Sequence, residues 1–185
     1  MNTEFKNIVL MKYGVHAGQT VEEIIKRKRK EYIDCGKLFW GYGGSVCHPT
    51  TQIQPFLHEA ISRGETVYLL MSRTKSALNN IPKVAAHFSD DAILWEDIPP
   101  QISVYGSKYA VVCDELKDCN FQLNLSDYSV AVGKQKGKNL ADYLKGRVDK
   151  ACGTINLKKS NHQETNFLEI TLIAKIIKPF AVFVK

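Results

Sequence analysis

The chain has 185 residues, and its 25 Lys and Arg side chains outnumber the 19 Asp and Glu side chains, giving a formal net charge of +6. This length predicts a single ligand-binding domain, residues 1–185, with the apolar content of an ordinary globular protein. No apolar run is long enough to cross a membrane, and the N-terminus lacks a secretion signal pattern. The composition therefore predicts a cytoplasmic protein with an anionic partner and no membrane contact.

The first elements in chain order are a strand and a helix. Residues 5–12 have the composition of a buried strand. Thr20-Val21-Glu22-Glu23 matches a capping box that opens a helix, and Gly36 is the expected stop. Five consecutive cations, Lys26 to Lys30, point around most of the circumference of this helix, so we expect them to form a solvated surface.

Further elements follow an aromatic segment at 38–49. A second helix is predicted from Thr50 or Thr51 to Arg63, where Pro55 is tolerated only in the first turn. Segment 73–91 is expected to be irregular, with a short helical piece near 83–87. The other predicted strands are 66–71, 92–95, 102–105, 109–113, 129–132 and the alternating segment 168–176, which Pro179 bends or breaks before 180–184. The strands at 102–105 and 109–113 are predicted to form a hairpin.

Predicted strands outnumber predicted helices, and short turns join many of them. This pattern indicates an α+β domain with a mixed, largely antiparallel sheet or partly closed barrel, flanked by two to four helices. A doubly wound parallel sheet is the alternative. The apolar strands at the two ends of the chain are expected to pair at the centre of the sheet.

The aromatic segment 38–49 reads Leu-Phe-Trp-Gly-Tyr-Gly-Gly-Ser-Val-Cys-His-Pro. Glycine allows close approach of the main chain to a ligand, and Trp and Tyr offer flat faces on which a base can stack. The ligand-binding residues that this interpretation predicts are Trp40, Tyr42, Gly43, Gly44, Ser45 and His48. The alternative is a strand that ends in a tight turn and packs its aromatic side chains in the core.

A second candidate segment has the order strand, Gly and Lys loop, helix. Residues 133–138 read Gly-Lys-Gln-Lys-Gly-Lys, and Asn139 is the expected cap of the next helix. This order predicts free backbone N–H groups and a positive helix end beside lysines, which suits a phosphate, although the spacing is not that of a Walker A motif. The residues predicted to contact the ligand here are Lys136, Lys138, Arg147, Asp149 and Lys150. Asp149 is alternatively a structural partner of Arg147.

The remaining reactive side chains show no diagnostic catalytic pattern. The five cysteines lack close C-x-x-C spacing and the histidines lack an i, i+4 pair, so we expect reduced, mostly packed thiols and neither a metal nor another cofactor. The acidic pairs at 90–91, 96–97 and 114–115 are expected to be solvated loop carboxylates. No catalytic residue is predicted.

Taken together, the aromatic segment, the lysine-rich turn and Arg147-Val148-Asp149-Lys150 resemble phage-encoded sponge proteins that sequester cyclic-nucleotide signals of bacterial antiviral defence. The resemblance implies non-enzymatic capture of a cyclic oligonucleotide or related signal in the host cytosol. It also implies a homo-oligomer with pockets at subunit interfaces.

Two other functions fit the same residues. A nucleic-acid-binding module is supported by the basic charge and by aromatic residues alongside cations, and its affinity would fall steeply with salt. A nucleotide-processing hydrolase would use His48 and a distant carboxylate as an acid-base pair.

Overall fold

A computed structural model describes residues 5–43, 50–145, 150–156 and 166–185. Over these residues the chain has an α+β fold, with a mixed, largely antiparallel sheet of ten strands and three α-helices. The predicted fold class is confirmed, and the sheet is not closed into a barrel. None of the helices in the described ranges is long and apolar enough to cross a membrane.

The helices are α1 (Val21–Cys35), α2 (Thr50–Ser62) and α3 (Leu140–Leu144). The strands are β1 (Asn7–His16), β2 (Leu38–Tyr42), β3 (Val67–Leu78), β4 (His87–Ser89), β5 (Glu96–Asp97), β6 (Tyr109–Cys113), β7 (Lys117–Asn124), β8 (Tyr128–Val130), β9 (Lys150–Ile155) and β10 (Phe167–Val184). Neighbouring strands follow the order β2-β6-β10-β3-β1-β9-β8, while β4 and β7 pair with β10 and β5 pairs with β4.

The strands at the two ends of the chain lie near the centre of this order. The expectation that they pair with each other is wrong, because β3 lies between β1 and β10. The predicted alternation of β10 is confirmed by its buried side chains, which include Ile170, Leu172, Ala174 and Ile176. Pro179 does not end the strand. Instead, the register of β10 against β6 shifts between Ile176 and Ala181, where Phe180 has a φ of 74°.

Contacts divide the chain into two compact units. The described residues of the first unit are 5–12, 50–73, 118–145, 150–156 and 166–173. Its core includes Ile8, Leu70, Tyr128 and Leu140, and the hydroxyl of Tyr128 donates to the Phe5 carbonyl oxygen at 2.8 Å. The polar tip of this buried ring is thereby satisfied.

The described residues of the second unit are 13–43, 74–117 and 174–185. Its core includes Phe39 and Phe88, whose rings meet edge to face with centroids 5.3 Å apart. The predicted capping box of α1 is confirmed, since Thr20 and Glu23 exchange hydrogen bonds. Gly36 ends α1 in the left-handed conformation, with a φ of 68°.

Several predicted element boundaries are wrong. β3 continues to Leu78, and the helical piece expected near 83–87 is absent, because Val84 bridges Tyr105 and β4 begins at His87. Residues 92–95 form a turn rather than a strand. The Asp91 carboxylate accepts the N–H groups of Ile93 and Leu94, which favours a turn over strand pairing.

The predicted hairpin of 102–105 with 109–113 is also wrong. Residues 102–105 make an isolated bridge at Tyr105, and 109–113 form β6, which pairs with β2 and β10. Pro55 lies in the second turn of α2 rather than the first. Because proline has no N–H, the carbonyl of Thr51 receives no helical hydrogen bond from this position.

Candidate functional site

The two aromatic residues predicted to stack on a base are core residues of the second unit. Trp40 is 7% exposed and Tyr42 is 2% exposed. The ring of Trp40 meets Tyr13 edge to face, with centroids 6.2 Å apart, and Tyr42 lies against Tyr109 at 5.4 Å. This packing matches the core alternative, and a base would reach either ring only if neighbouring side chains moved.

The glycines of β2 and its end have different surroundings. A Cβ added at Gly41 would lie 2.6 Å from Ser107 Oγ and 2.9 Å from Val104 Cγ1, so glycine is required there by the close packing of 104–107. A Cβ at Gly43 would lie at an ordinary 3.6 Å from its nearest neighbours. The packing therefore does not require glycine at position 43, and the predicted contact of Gly43 with a ligand stays a prediction.

Five of the predicted ligand-binding residues lie outside the described residues. They are Gly44, Ser45, His48, Arg147 and Asp149. Their contribution to a site stays a prediction.

The lysine-rich turn lies between β8 and α3 in the first unit. Lys134, Lys136 and Lys138 are all exposed, and within the described part of the chain none of the three has an ion-pair partner. Gly133 and Gly137 shape the turn with φ values of 78° and 89°, which side chains rarely permit. The turn therefore presents three exposed ammonium groups from six residues.

Three of the backbone N–H groups beside these lysines already have an acceptor. The N–H of Gly137 donates to Val130, and the N–H groups of Lys136 and Lys138 donate within the turn. The side chain of Asn139 accepts from Ala141 and Asp142, which confirms it as the cap of α3. The N–H groups of residues 136–138 are therefore not available to an anion, and the exposed lysine side chains are the groups here that can meet one.

Lys150, the last of the predicted cationic contacts, is half-buried on β9, opposite Met11 of β1. It belongs to the first unit with the lysine-rich turn, whereas Trp40 and Tyr42 belong to the second. Convergence of the aromatic and cationic residues in one cavity stays a prediction.

The expectation of a solvated surface for Lys26 to Lys30 is wrong at its centre. Lys28 is 4% exposed and Glu31 is fully buried. The Lys28 ammonium donates to both Glu31 carboxylate oxygens at 2.9 Å, to the Ser103 carbonyl at 2.8 Å and to the Phe39 carbonyl. In the sequence, Lys28 lies within the apolar stripe of α1, which is the face of a helix that packs against the core. This position alone could have predicted its burial.

Arg27 completes this buried network from the same helix. Its guanidinium donates to Glu31 at 3.0 Å and to the Ser103 carbonyl at 2.9 Å, and it lies over the Tyr105 ring at 4.9 Å. Burial lowers the pKa of Lys28 to about 8, against the opposing attraction of Glu31. Since the three ammonium protons of Lys28 already face the acceptors Glu31, Phe39 and Ser103, this network is suited to holding elements together rather than to binding a ligand.

The buried thiols of Cys113 and Cys152 are not poised for chemistry at neutral pH. Burial raises the pKa of Cys113, and it raises the pKa of Cys152 to about 12. Both thiols are free, as are those of Cys35 and Cys119, in agreement with reduced cysteines. Because the thiolate is the nucleophilic form, Cys113 and Cys152 act as packing residues.

The acidic pairs in the loops mostly face solvent, as expected. Residues 90–91 and 96–97 are exposed, while Asp114 is half-buried and accepts the N–H of Lys175 at 2.8 Å. Across the described ranges, no three His, Cys, Asp or Glu side chains are grouped so that they could hold a metal ion.

Comparison with protein-family models, with the sequences of curated proteins and with solved structures found no match to this chain. The function therefore has to be inferred from the side chains themselves.

Proposed function

We propose that this protein binds a small anionic nucleotide, of the cyclic oligonucleotide class, and sequesters it without transforming it. The observation that carries the proposal is the lysine-rich turn, where Lys134, Lys136 and Lys138 are exposed and have no ion-pair partner among the residues that the structure describes. The resemblance to phage-encoded sponge proteins supports the choice of ligand class, and with it an antagonist of bacterial antiviral signalling.

The geometry of the turn favours phosphate as the group that is bound. Its backbone is fixed by internal hydrogen bonds, so little order has to be gained there when a ligand binds. A hydrogen bond between an ammonium group and a phosphate is charge-assisted and contributes roughly 1.5 to 3 kcal/mol. Lysines at alternate positions of one turn suit a ligand that carries more than one phosphate.

The aromatic residues have a smaller part in this proposal. Because Trp40 and Tyr42 are buried, the first contact with a ligand is through charge, and stacking on either ring requires an opening of the core around β2. The proposal is therefore supported by the cationic turn and not by the buried rings.

The test is a calorimetric titration with a panel of cyclic oligonucleotides and with linear dinucleotides and mononucleotides as controls. We expect tight binding of a cyclic compound, and its recovery intact when the complex is denatured. Recovery of a cleaved product would instead identify a nucleotide-processing enzyme.

A nucleic-acid polymer is the other anion that the exposed lysines suit, and salt dependence separates the two ligands. The affinity for a polymer falls steeply with salt, because each neutralised phosphate releases a counterion. We expect a shallow dependence for a small ligand with few phosphates. A steep salt dependence for a single-stranded oligonucleotide, without binding of any cyclic compound, would contradict the proposal.

A further inference from the structure

The turn between β4 and β5 exposes two large apolar side chains. Ile93 is 77% exposed and Leu94 is 73% exposed, values that are unusual for neighbouring aliphatic residues. Their positions are fixed by the Asp91 carboxylate, which accepts the N–H groups of Ile93 at 2.7 Å and Leu94 at 2.9 Å. Ser89 Oγ accepts the N–H of Ala92, which has a φ of 63°. The backbone of this turn is thus ordered before any partner binds.

The flanks of this turn carry mostly negative charge, although the ammonium group of Lys185 lies over the Trp95 ring, 3.7 Å from its centroid. Asp90, Asp91, Glu96 and Asp97 are all exposed. The Asp91 carboxylate is used within the turn and Asp97 contacts His87 at 2.9 Å. Among the described residues, the carboxylates of Asp90 and Glu96 have no hydrogen-bonded or ion-paired partner. We call residues 90–97 the acidic turn.

A second exposed surface of the same unit has the opposite charge. It consists of the end of β3 and the segment after it, residues 75–84, which we call the basic ribbon. Its apolar side chains are Leu78, Ile81 and Val84, which are 60%, 79% and 42% exposed. Lys75 and Lys83 are exposed beside them, without an ion-pair partner in the described ranges.

The basic ribbon is also anchored. Val84 bridges Tyr105, and the N–H of Gly106 donates to the Lys83 carbonyl at 3.1 Å. Gly106, with a φ of 59°, lies so close to Pro82 that an added Cβ would be 2.7 Å from its ring. The ribbon therefore presents its apolar and cationic side chains from a fixed backbone.

We propose that the acidic turn of one copy docks on the basic ribbon of a second copy of this chain. Each surface combines exposed aliphatic side chains with charge that is mainly of one sign: four carboxylates against Lys185 on the acidic turn, and Lys75 and Lys83 on the basic ribbon. The two signs are complementary. Complementary charge steers association and fixes the register of the two surfaces. The aliphatic side chains add a hydrophobic contribution, because they are removed from water when the surfaces meet. If the acidic turn of each copy docks on the basic ribbon of the other, the two equal contacts close a symmetric dimer. If each copy instead docks on the next copy in turn, the contacts make a ring.

The test uses charge reversal on each surface, measured by sedimentation velocity on the full chain. One variant carries Lys75→Glu and Lys83→Glu, and the other carries Asp90→Lys and Glu96→Lys. We expect wild type to associate and each variant to be monomeric, because like charges then face each other. An equimolar mixture of the two variants should associate again, since both contacts regain opposite charges.

Controls separate this surface from general effects. Ile93→Ser with Leu94→Ser should remove association, and Ile33→Ser, at a residue 79% exposed on α1, should leave it unchanged. Thermal unfolding of each variant checks that it is folded. The proposal is overturned if wild type stays monomeric at about 0.1 mM, an ordinary range for weak association. It is also overturned if the charge reversals leave association unchanged.

Discussion

The ammonium group of Lys28 in α1 donates a hydrogen bond to the backbone carbonyl oxygen of Phe39 in β2. β2 is the end strand in the order of the described sheet, so one side of its backbone meets no neighbouring strand. Glu31 accepts the N–H of the same Phe39 at 3.4 Å. A buried ion pair thus occupies the place where another strand would pair, and it protects this edge from strand addition.

The first prediction concerns the stability that depends on this pair. Lys28→Met leaves the buried Glu31 carboxylate with Arg27 as its remaining cationic partner, and the carbonyl groups of Phe39 and Ser103 lose a donor. We expect a loss of about 3 to 5 kcal/mol in the free energy of unfolding, measured by urea denaturation.

A control on the same helix is Lys26→Met, at an exposed position. Its effect should stay within about 0.5 kcal/mol. Equal effects of the two substitutions would contradict the role assigned to Lys28.

The second prediction concerns alkaline pH. The pKa of Lys28 is lowered from 10.5 to about 8 in the folded chain, chiefly by burial. Between these values the unfolded chain binds more protons than the folded one, so the contribution of Lys28 to stability rises with pH. We expect the stability of wild type relative to Lys28→Met to increase by up to roughly 3 kcal/mol between pH 7 and 10.5.

The comparison with Lys28→Met is needed because other groups face Lys28. Glu31 contacts its ammonium group, and Arg27 and Cys113 interact with it electrostatically. Burial raises the pKa of Cys113. Its ionisation in the unfolded chain lowers the stability of wild type and variant alike. A stability difference that stays flat with pH would show that the Lys28 pKa is not lowered.

The third prediction concerns acid. Glu65 in the first unit accepts hydrogen bonds from Lys6, Asn7 and Arg63, and those from Lys6 and Arg63 lower its pKa to about 2. A carboxylate with a depressed pKa contributes stability above its unfolded pKa of 4.5, and loses it as the pH falls towards 2. Glu65→Gln should therefore weaken the acid dependence of unfolding. Glu59→Gln, at an exposed partner of Arg63, is the matched control and should leave most of that dependence in place.

The fourth prediction concerns the lysine-rich turn. Lys136→Gln with Lys138→Gln should weaken binding of the nucleotide by about 100- to 10,000-fold, because two charge-assisted hydrogen bonds of roughly 1.5 to 3 kcal/mol each are lost. Stability should change by less than about 0.5 kcal/mol, because both side chains are exposed.

The matched control is Lys26→Gln with Lys178→Gln, which removes the same net charge at exposed sites elsewhere. If the control variant loses as much affinity as the Lys136→Gln, Lys138→Gln variant, the loss is caused by the lower net charge and the lysine-rich turn is not the binding site.

Local sequence signals predicted the elements that are defined by local chemistry. The capping box at Thr20, the stop at Gly36 and the cap at Asn139 are all present, since each depends on residues close in sequence. The wrong predictions concern segments whose structure depends on contacts with residues distant in sequence. Residues 73–78 look irregular in sequence, yet they continue β3, and Gly14 of β1 lies against the backbone of Ser76.

The candidate site was less predictable for the same reason. Trp40 and Tyr42 have the composition of a stacking surface, but Tyr13 and Tyr109, distant in sequence, cover them. Lys28 looked like part of a solvated run, and its burial depends on acceptors contributed by Phe39 and Ser103. Composition predicts which side chains suit an anion, whereas exposure is set by packing between distant segments.

The most direct measurement of the central proposal is mass spectrometry of the purified protein, first under native conditions and then after denaturation. We expect a copurifying phosphate-bearing nucleotide that is released intact, and its absence from the Lys136→Gln, Lys138→Gln variant. Release of a hydrolysed product, or equal retention of the nucleotide by that variant, would contradict it.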